Sequence, residues 1–168
     1  ELLQASSSRK GAFLSVRDEI HMVQNYVKLQ QFRYMDCFEA TYRIDPETES
    51  CYVPRLLLLP LVENAIIHGS GQRDKGGSIT VTSCINDKML VLTVEDNGHG
   101  MTQEQISLLL KPKSARKGGF SGIGIPNVLQ RLDLYYGQRA ELRYCSTHCG
   151  TKAIIQLPVS MNSEEYAI

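Results

Sequence analysis

No stretch of this chain approaches the roughly 20 apolar residues that a membrane-spanning helix needs. The longest apolar run, residues 56–62, is short and contains Pro60. The start, Glu1-Leu2-Leu3-Gln4, has no basic region followed by an apolar one, so no leader peptide is read there. The lack of an initiator Met suggests a piece of a longer protein. Neither charge is in excess: 18 Lys and Arg face 18 Asp and Glu. That removes the charge argument for nucleic acid or a membrane surface as partner. A disulfide framework is also missing. Cys37, Cys51, Cys84, Cys145 and Cys149 are odd in number and irregular in spacing, which fits a reducing compartment. Cys145, His148 and Cys149 form a partial zinc set. No fourth ligand is close and a hairpin turn is expected there, so ordinary thiols are the reading. Internal repeats and low-complexity tracts do not occur.

What is there is an ordinary globular composition. Of 168 residues, 42% are hydrophobic and 21% charged, enough for one domain with a real core and not comfortably for two. Residues 1–14 read as a helix end and a loop. Ser15 with Asp18 marks a capped helix start, and Val16, Ile20, Val23 and Val27 follow at helical spacing to about residue 35. Residues 38–44 alternate as a half-buried strand, ended by Asp45-Pro46-Glu47. Val53-Pro54 reads as the start of a second helix that closes at Gly69, with Pro60 inside it as a bend. After a loop at 70–77, strands at 78–85 and 89–95 form a hairpin. Thr102 and Gln105 open a short helix that Pro112 stops; a longer helix covers 123–136, and strands at 140–145 and 151–157 close the chain. This order predicts an α+β fold, a two-layer sandwich with a mixed, mostly antiparallel sheet and helices on one face. Residues 15–160 are the expected domain, with 161–168 as a tail.

Three segments carry chemistry. The first is Glu63-Asn64-Ala65-Ile66-Ile67-His68-Gly69, on a helix. Asn64 offers the single amide oxygen that Mg²⁺ at a nucleotide accepts from a protein. Glu63 beside it can orient water or accept a proton. The second is Asp96-Asn97-Gly98-His99-Gly100-Met101, after an apolar strand. Asp96 can accept a hydrogen bond from an exocyclic amine such as adenine N6, and the glycines let a flat ring approach the backbone. Alone it also reads as a capped turn. The third is Gly118-Gly119-Phe120-Ser121-Gly122-Ile123-Gly124, behind a run of Lys111, Lys113, Arg116 and Lys117 with no acidic residue. Backbone amides there, at a helix start, suit phosphate. Alone it also reads as a solvated loop; with the glycines it reads as a lid.

In this order the segments resemble the N, G1 and G2 boxes of the superfamily uniting histidine kinases, type II topoisomerases, heat-shock chaperone ATPases and mismatch-repair ATPases. A longer set narrows the likeness. It comprises Asn25-Tyr26-Val27-Lys28-Leu29-Gln30-Gln31-Phe32-Arg33-Tyr34, Val53-Pro54-Arg55 leading into the N box, Gly122-Ile123-Gly124-Ile125-Pro126-Asn127 with Arg131, and Gly150-Thr151. Over residues 15–158 this is similar to bacterial sensor histidine kinases of the group typified by YesM and LytS.

The resemblance implies a Bergerat-type sandwich that binds ATP and Mg²⁺. Asp96, Gly98, Gly100 and Met101 would hold adenine, and Lys117, Gly119, Gly122, Ile123, Gly124 and Asn127 the phosphates. Asn64 would be the metal ligand and Glu63 the acidic partner in catalysis. Arg131 is read as a brace for the loop. Histidine kinases usually have a Lys where this chain has Ile67, which leaves phosphate contact incomplete; His68 is the candidate to take over part of it, against a packing role. The acceptor histidine of the group lies in a Pro-His-Phe-Leu-Phe-Asn-like segment that this chain lacks. His21 with Asn25 copies only the spacing, since its flanks match the later helix. The expected function is phosphoryl transfer from ATP to a histidine outside the chain. Residues 1–14 would then end the dimerisation and phosphotransfer helices of a homodimeric, membrane-anchored sensor whose catalytic part is cytoplasmic and serves a response regulator, with no nucleic acid partner. An ATP-gated binding module with little turnover and an anti-sigma-type serine kinase are the alternatives.

Overall fold

The computed structural model describes residues 12–35, 37–69, 76–111 and 124–162. A short strand β1 (Phe13–Ser15) leads into helix α1 (Val16–Arg33). Strand β2 (Phe38–Ile44), a 3-10 turn (Pro46–Thr48) and strand β3 (Tyr52–Pro54) precede helix α2 (Leu59–His68). The hairpin β4 (Gly77–Asn86) and β5 (Met89–Asp96) is followed by helix α3 (Gln103–Leu109) and helix α4 (Gly124–Tyr136). A 3-10 turn (Gly137–Arg139) and the hairpin β6 (Glu141–Thr147) and β7 (Gly150–Pro158) complete the order.

Local chemistry explains most boundaries. Ser15 Oγ accepts from the Asp18 amide at 3.1 Å and starts α1. Thr102 and Gln105 form a reciprocal capping box at α3. Asp87 and Lys88 both have positive φ, 48° and 65°, the geometry of a tight two-residue hairpin turn. The Gly69 amide closes α2 on the Ala65 carbonyl.

Five strands form one sheet in the order β2-β4-β5-β7-β6. The β2–β4 pair is parallel and the others antiparallel, so the sheet is mixed and mostly antiparallel, as the sequence predicts. Its buried face presents Ile79 and Val81, then Leu90, Leu92 and Val94, then Ala153, Ile155 and Leu157. Leu61, Val62, Ala65 and Ile66 from α2 and Val128 and Leu132 from α4 join the same core. Burying each Val, Leu or Ile among these contributes about 1.5–3 kcal/mol, so the two layers are held by this seam. Among the described residues no helix is long and apolar enough to cross a membrane.

Two sequence expectations fail. Val53-Pro54 does not open a helix: Tyr52–Pro54 pairs antiparallel with Phe13–Ser15, a segment expected to be loop up to residue 14. Pro60 consequently lies in the first turn of α2 and bends nothing. The physical reason is a turn at 55–58 where Leu56 takes a φ of 59°. The buried Glu19 carboxylate holds that turn by accepting from the Leu56 amide at 3.0 Å and the Leu58 amide at 2.9 Å.

Candidate functional site

Asp96 continues the buried stripe of β5, one core-facing position beyond Val94. The stripe Leu90, Leu92, Val94 thus ends in a carboxylate that is only 8% exposed. The Gly98 amide donates to Asp96 Oδ1 at 2.8 Å and fixes the carboxylate. Asn97 staples the turn to β4: its Oδ1 accepts from Ser78 N at 2.8 Å and its Nδ2 donates to Gly76 O at 2.9 Å.

Glycine is required around that carboxylate by space. A Cβ on Gly98 would lie 2.6 Å from the Gly69 carbonyl carbon and 2.8 Å from Asp96 Oδ1. A Cβ on Gly69 would lie 2.5 Å from the Asp96 carboxyl carbon. The end of α2 and the end of β5 therefore meet backbone to backbone, with Asp96 between them.

The tip of the β6–β7 hairpin clasps the other side. Ser146 Oγ accepts from the Met101 amide at 2.7 Å and donates to the Gly150 carbonyl at 3.1 Å. It also pairs with Thr151 Oγ1 at 2.9 Å. Gly100, at φ 75°, lies against the Thr147 carbonyl, and Gly150, at φ 141°, against the Asp96 carbonyl. Asp96, Thr151 and Ser146 are in register across β5, β7 and β6. Tyr144, one core-facing position back on β6, has a buried hydroxyl. Burial, and then the charge of Asp96, hold it above the usual tyrosine range.

The helix α2 links this end to a second one. Leu61, Val62, Ala65 and Ile66 face the core. Pro60, Asn64 and Ile67 form a half-buried stripe beside it, while Glu63 and His68 are exposed. A Cβ on Gly124 would lie 2.7 Å from Pro60 Cβ, so α4 begins against the first turn of α2. Asn64 is one turn along α2 from that contact and the half-buried Asn127 is about one turn along α4. Pro60 and Gly69 are separated by about 13 Å of helix at 1.5 Å per residue, so the two glycine contacts stand at opposite ends of α2. Glu63 lies near Tyr26 of α1, whose hydroxyl is pushed up first by burial and then by the Glu63 charge.

Asp96, Gly98, Gly100 and Met101 are thus brought together, and Asn64, Gly124 and Asn127 flank one helix–helix contact. His68 is in the exposed last turn of α2, next to Gly69. Lys117, Gly119, Gly122 and Ile123 lie outside the described residues. Arg131 braces a different segment from the Gly-rich loop expected of it: its Nη1 donates to the Arg55 carbonyl at 2.9 Å and the Leu56 carbonyl at 3.1 Å. Sequence reasoning missed Glu19, Ser146 and Thr147. An acid on the apolar stripe of α1 was the available signal for Glu19. Nothing local distinguishes Ser146 from any hairpin serine.

A carboxylate fixed at the end of a buried strand, with glycine backbone beside it, suits an exocyclic amine as its hydrogen-bond donor. A half-exposed amide oxygen at Asn64 suits Mg²⁺ that keeps phosphate and water ligands. Both are groups that the ATPase resemblance assigns to a nucleotide. The chain belongs to the histidine kinase-, DNA gyrase B- and HSP90-like ATPase family, whose model matches residues 53–161. It is 33% identical over 152 residues to the sensor protein LytS of Staphylococcus saprophyticus, covering 90% of this chain and 26% of that protein. To the sensor histidine kinase YesM of Bacillus subtilis it is 32% identical over 158 residues, covering 94% of this chain and 26% of that protein. The chain therefore spans about a quarter of the length of these curated relatives. Among solved structures, the nucleotide-free catalytic domain of histidine kinase ThkA superposes with a TM-score of 0.68 at 16% identity, covering 90% of this chain and 97% of that one. At that identity the likeness shows the fold.

Proposed function

We propose that this chain is the ATP-binding catalytic unit of a bacterial two-component sensor histidine kinase, which transfers the γ-phosphoryl group of ATP to a histidine outside the chain. The observation that carries the reading is the buried Asp96 carboxylate, fixed by the Gly98 amide between Gly69 and Gly98. Likeness to LytS and YesM over nearly the whole chain supports a kinase over the other branches of the family.

In this reading Asp96 accepts a hydrogen bond from the adenine amine, and Gly98, Gly100 and Met101 let the ring lie against backbone. Gly124 and Asn127 meet the phosphates at the start of α4, where the helix dipole favours negative charge. Lys117, Gly119, Gly122 and Ile123 are assigned to the same end on sequence. Asn64 holds Mg²⁺, which when bound offsets phosphate charge. Glu63, exposed beside Asn64, accepts the proton of the incoming imidazole as its nitrogen bonds to phosphorus. The P–O bond breaks and its electron pair leaves with ADP. The site acts by positioning and by screening charge. The parent protein is a membrane-anchored homodimer with this unit in the cytoplasm, its acceptor histidine on preceding helices and a response regulator downstream.

Incubating the full-length sensor with ATP should yield acid-labile, base-stable phosphate. Glu63→Gln should slow its formation while ATP affinity holds. Acid-stable phosphate would instead favour the serine kinase reading. Ile67, where the resemblance to histidine kinases leads one to expect a Lys, favours one second reading, a nucleotide-gated module with little turnover. Tight ATP binding with no phosphate formed would support it.

A further inference from the structure

The turn between β3 and α2 is held from both sides by ions that belong to other helices. Arg55 to Leu58 make no regular element, and Leu56 sits at φ 59°, a conformation that costs a bulky residue free energy. Leu58, the residue before α2, makes no side-chain cap for it. Glu19 of α1, 1% exposed, instead holds the residues that lead into the helix. Its Oε2 accepts from Leu56 N at 3.0 Å and its Oε1 from Leu58 N at 2.9 Å. Arg131 of α4 takes the opposite side of the same turn through the carbonyls of Arg55 and Leu56. Leu56 thus gives its amide to an anion and its carbonyl to a cation. A buried carboxylate at a helix N-terminus also lies in the favourable direction of the dipole.

This arrangement has a position in the site. Pro60 follows Leu58 by two residues, and Gly124 precedes Arg131 by seven, about two turns of the same helix. The Glu19–turn–Arg131 latch therefore sets how α4 begins against α2, which is where Gly124 meets Pro60. The Asp96 end shares only the far end of α2, at Gly69, about three turns from the latch, and is otherwise built from different parts: β5, Asn97 bonded to β4 and the Ser146 hairpin tip. We propose that Glu19 is a positioning residue for the phosphate end of the nucleotide site, acting with Arg131 through the 55–58 turn, and that the adenine end is independent of it. The inference rests on the ATP reading above.

NMR titration of the chain with adenosine and, separately, with ATP plus Mg²⁺ tests it, with the Gly98 amide as probe. Glu19→Gln keeps the size but loses the charge and one acceptor. It should weaken Mg²⁺–ATP binding by about tenfold, the scale of one lost hydrogen bond to a charged group, and leave adenosine affinity within about twofold. Arg131→Lys, on a half-buried position that keeps its charge but loses the planar fork, should give the same split. It carries the test if the Glu19 variant does not fold. The double variant should lose no more than the worse single one, because both act on one turn. Parallel loss of adenosine and Mg²⁺–ATP affinity, or additive losses, would overturn the latch. A wild-type chain that binds neither ligand would overturn the nucleotide reading and the latch with it. A wild-type chain that binds both, beside variants without the split, would overturn the latch alone.

Discussion

Gly98 and Asp96 are joined by a 2.8 Å bond from the glycine amide to the carboxylate, made on ground that Gly69 leaves vacant. The bond aims the carboxylate, and the absence of two Cβ atoms makes the approach possible. The functional reading depends on that pair more than on any other contact.

Gly98→Ala should therefore damage both folding and binding. Its methyl would meet the Gly69 backbone, which cannot turn aside, and Asp96 Oδ1, which could yield only by giving up its bond to the Gly98 amide. A loss of about 1–3 kcal/mol of stability is expected for such overpacking, together with loss of nucleotide binding. Thermal unfolding with and without ATP reads both. A variant with wild-type Tm and wild-type affinity would show that the approach is not tight.

Glu19 predicts a pH dependence. Burial holds its carboxyl above the ordinary value of 4.5, opposed by the amides of Leu58, Leu56 and Leu57 and by the Arg131 charge. A group with a raised folded value binds its proton more tightly folded than unfolded. Its contribution is therefore full below pH 4.5 and is lost as pH rises through the folded value. The Tm of wild type minus that of Glu19→Gln should fall as pH rises from 4.5, then level off. A difference that grows over that range would contradict the assignment.

Tyr42 is a simpler case. Its hydroxyl is buried without a hydrogen-bond partner among the described residues, and burial pushes it up to about 12 from 10.0. Tyr42→Phe removes an unsatisfied group, so stability should stay equal or rise by about 1 kcal/mol near neutral pH. The wild type should lose stability between pH 10 and about 12, and the Phe variant should lose less. A destabilisation of several kcal/mol near neutrality would reveal a partner for that hydroxyl.

Local signals were legible and long-range ones were not. Ser15, the Thr102–Gln105 box and the Asp87-Lys88 turn each act within a few residues, and each stands where the sequence implies. Asp96 was legible because an apolar strand runs into it. Val53-Pro54 misled because Pro followed by leucines fits a helix start, while the strand there exists only through pairing with Phe13–Ser15. Three-residue strands are too short to show alternation. The Glu19 latch spans 37 and 39 residues of sequence, beyond any periodicity window. Ser146 reaches Met101 across 45 residues, for the same reason unseen.

Calorimetry of ATP binding to the wild-type chain and to Asp96→Asn tests the central claim most directly. A hydrogen bond to a charged acceptor is worth about 1.5–3 kcal/mol, so the variant should bind roughly ten- to a hundredfold more weakly while remaining folded. Equal affinity in the two proteins would remove Asp96 from the adenine site and, with it, the reading built on the Gly98 bond.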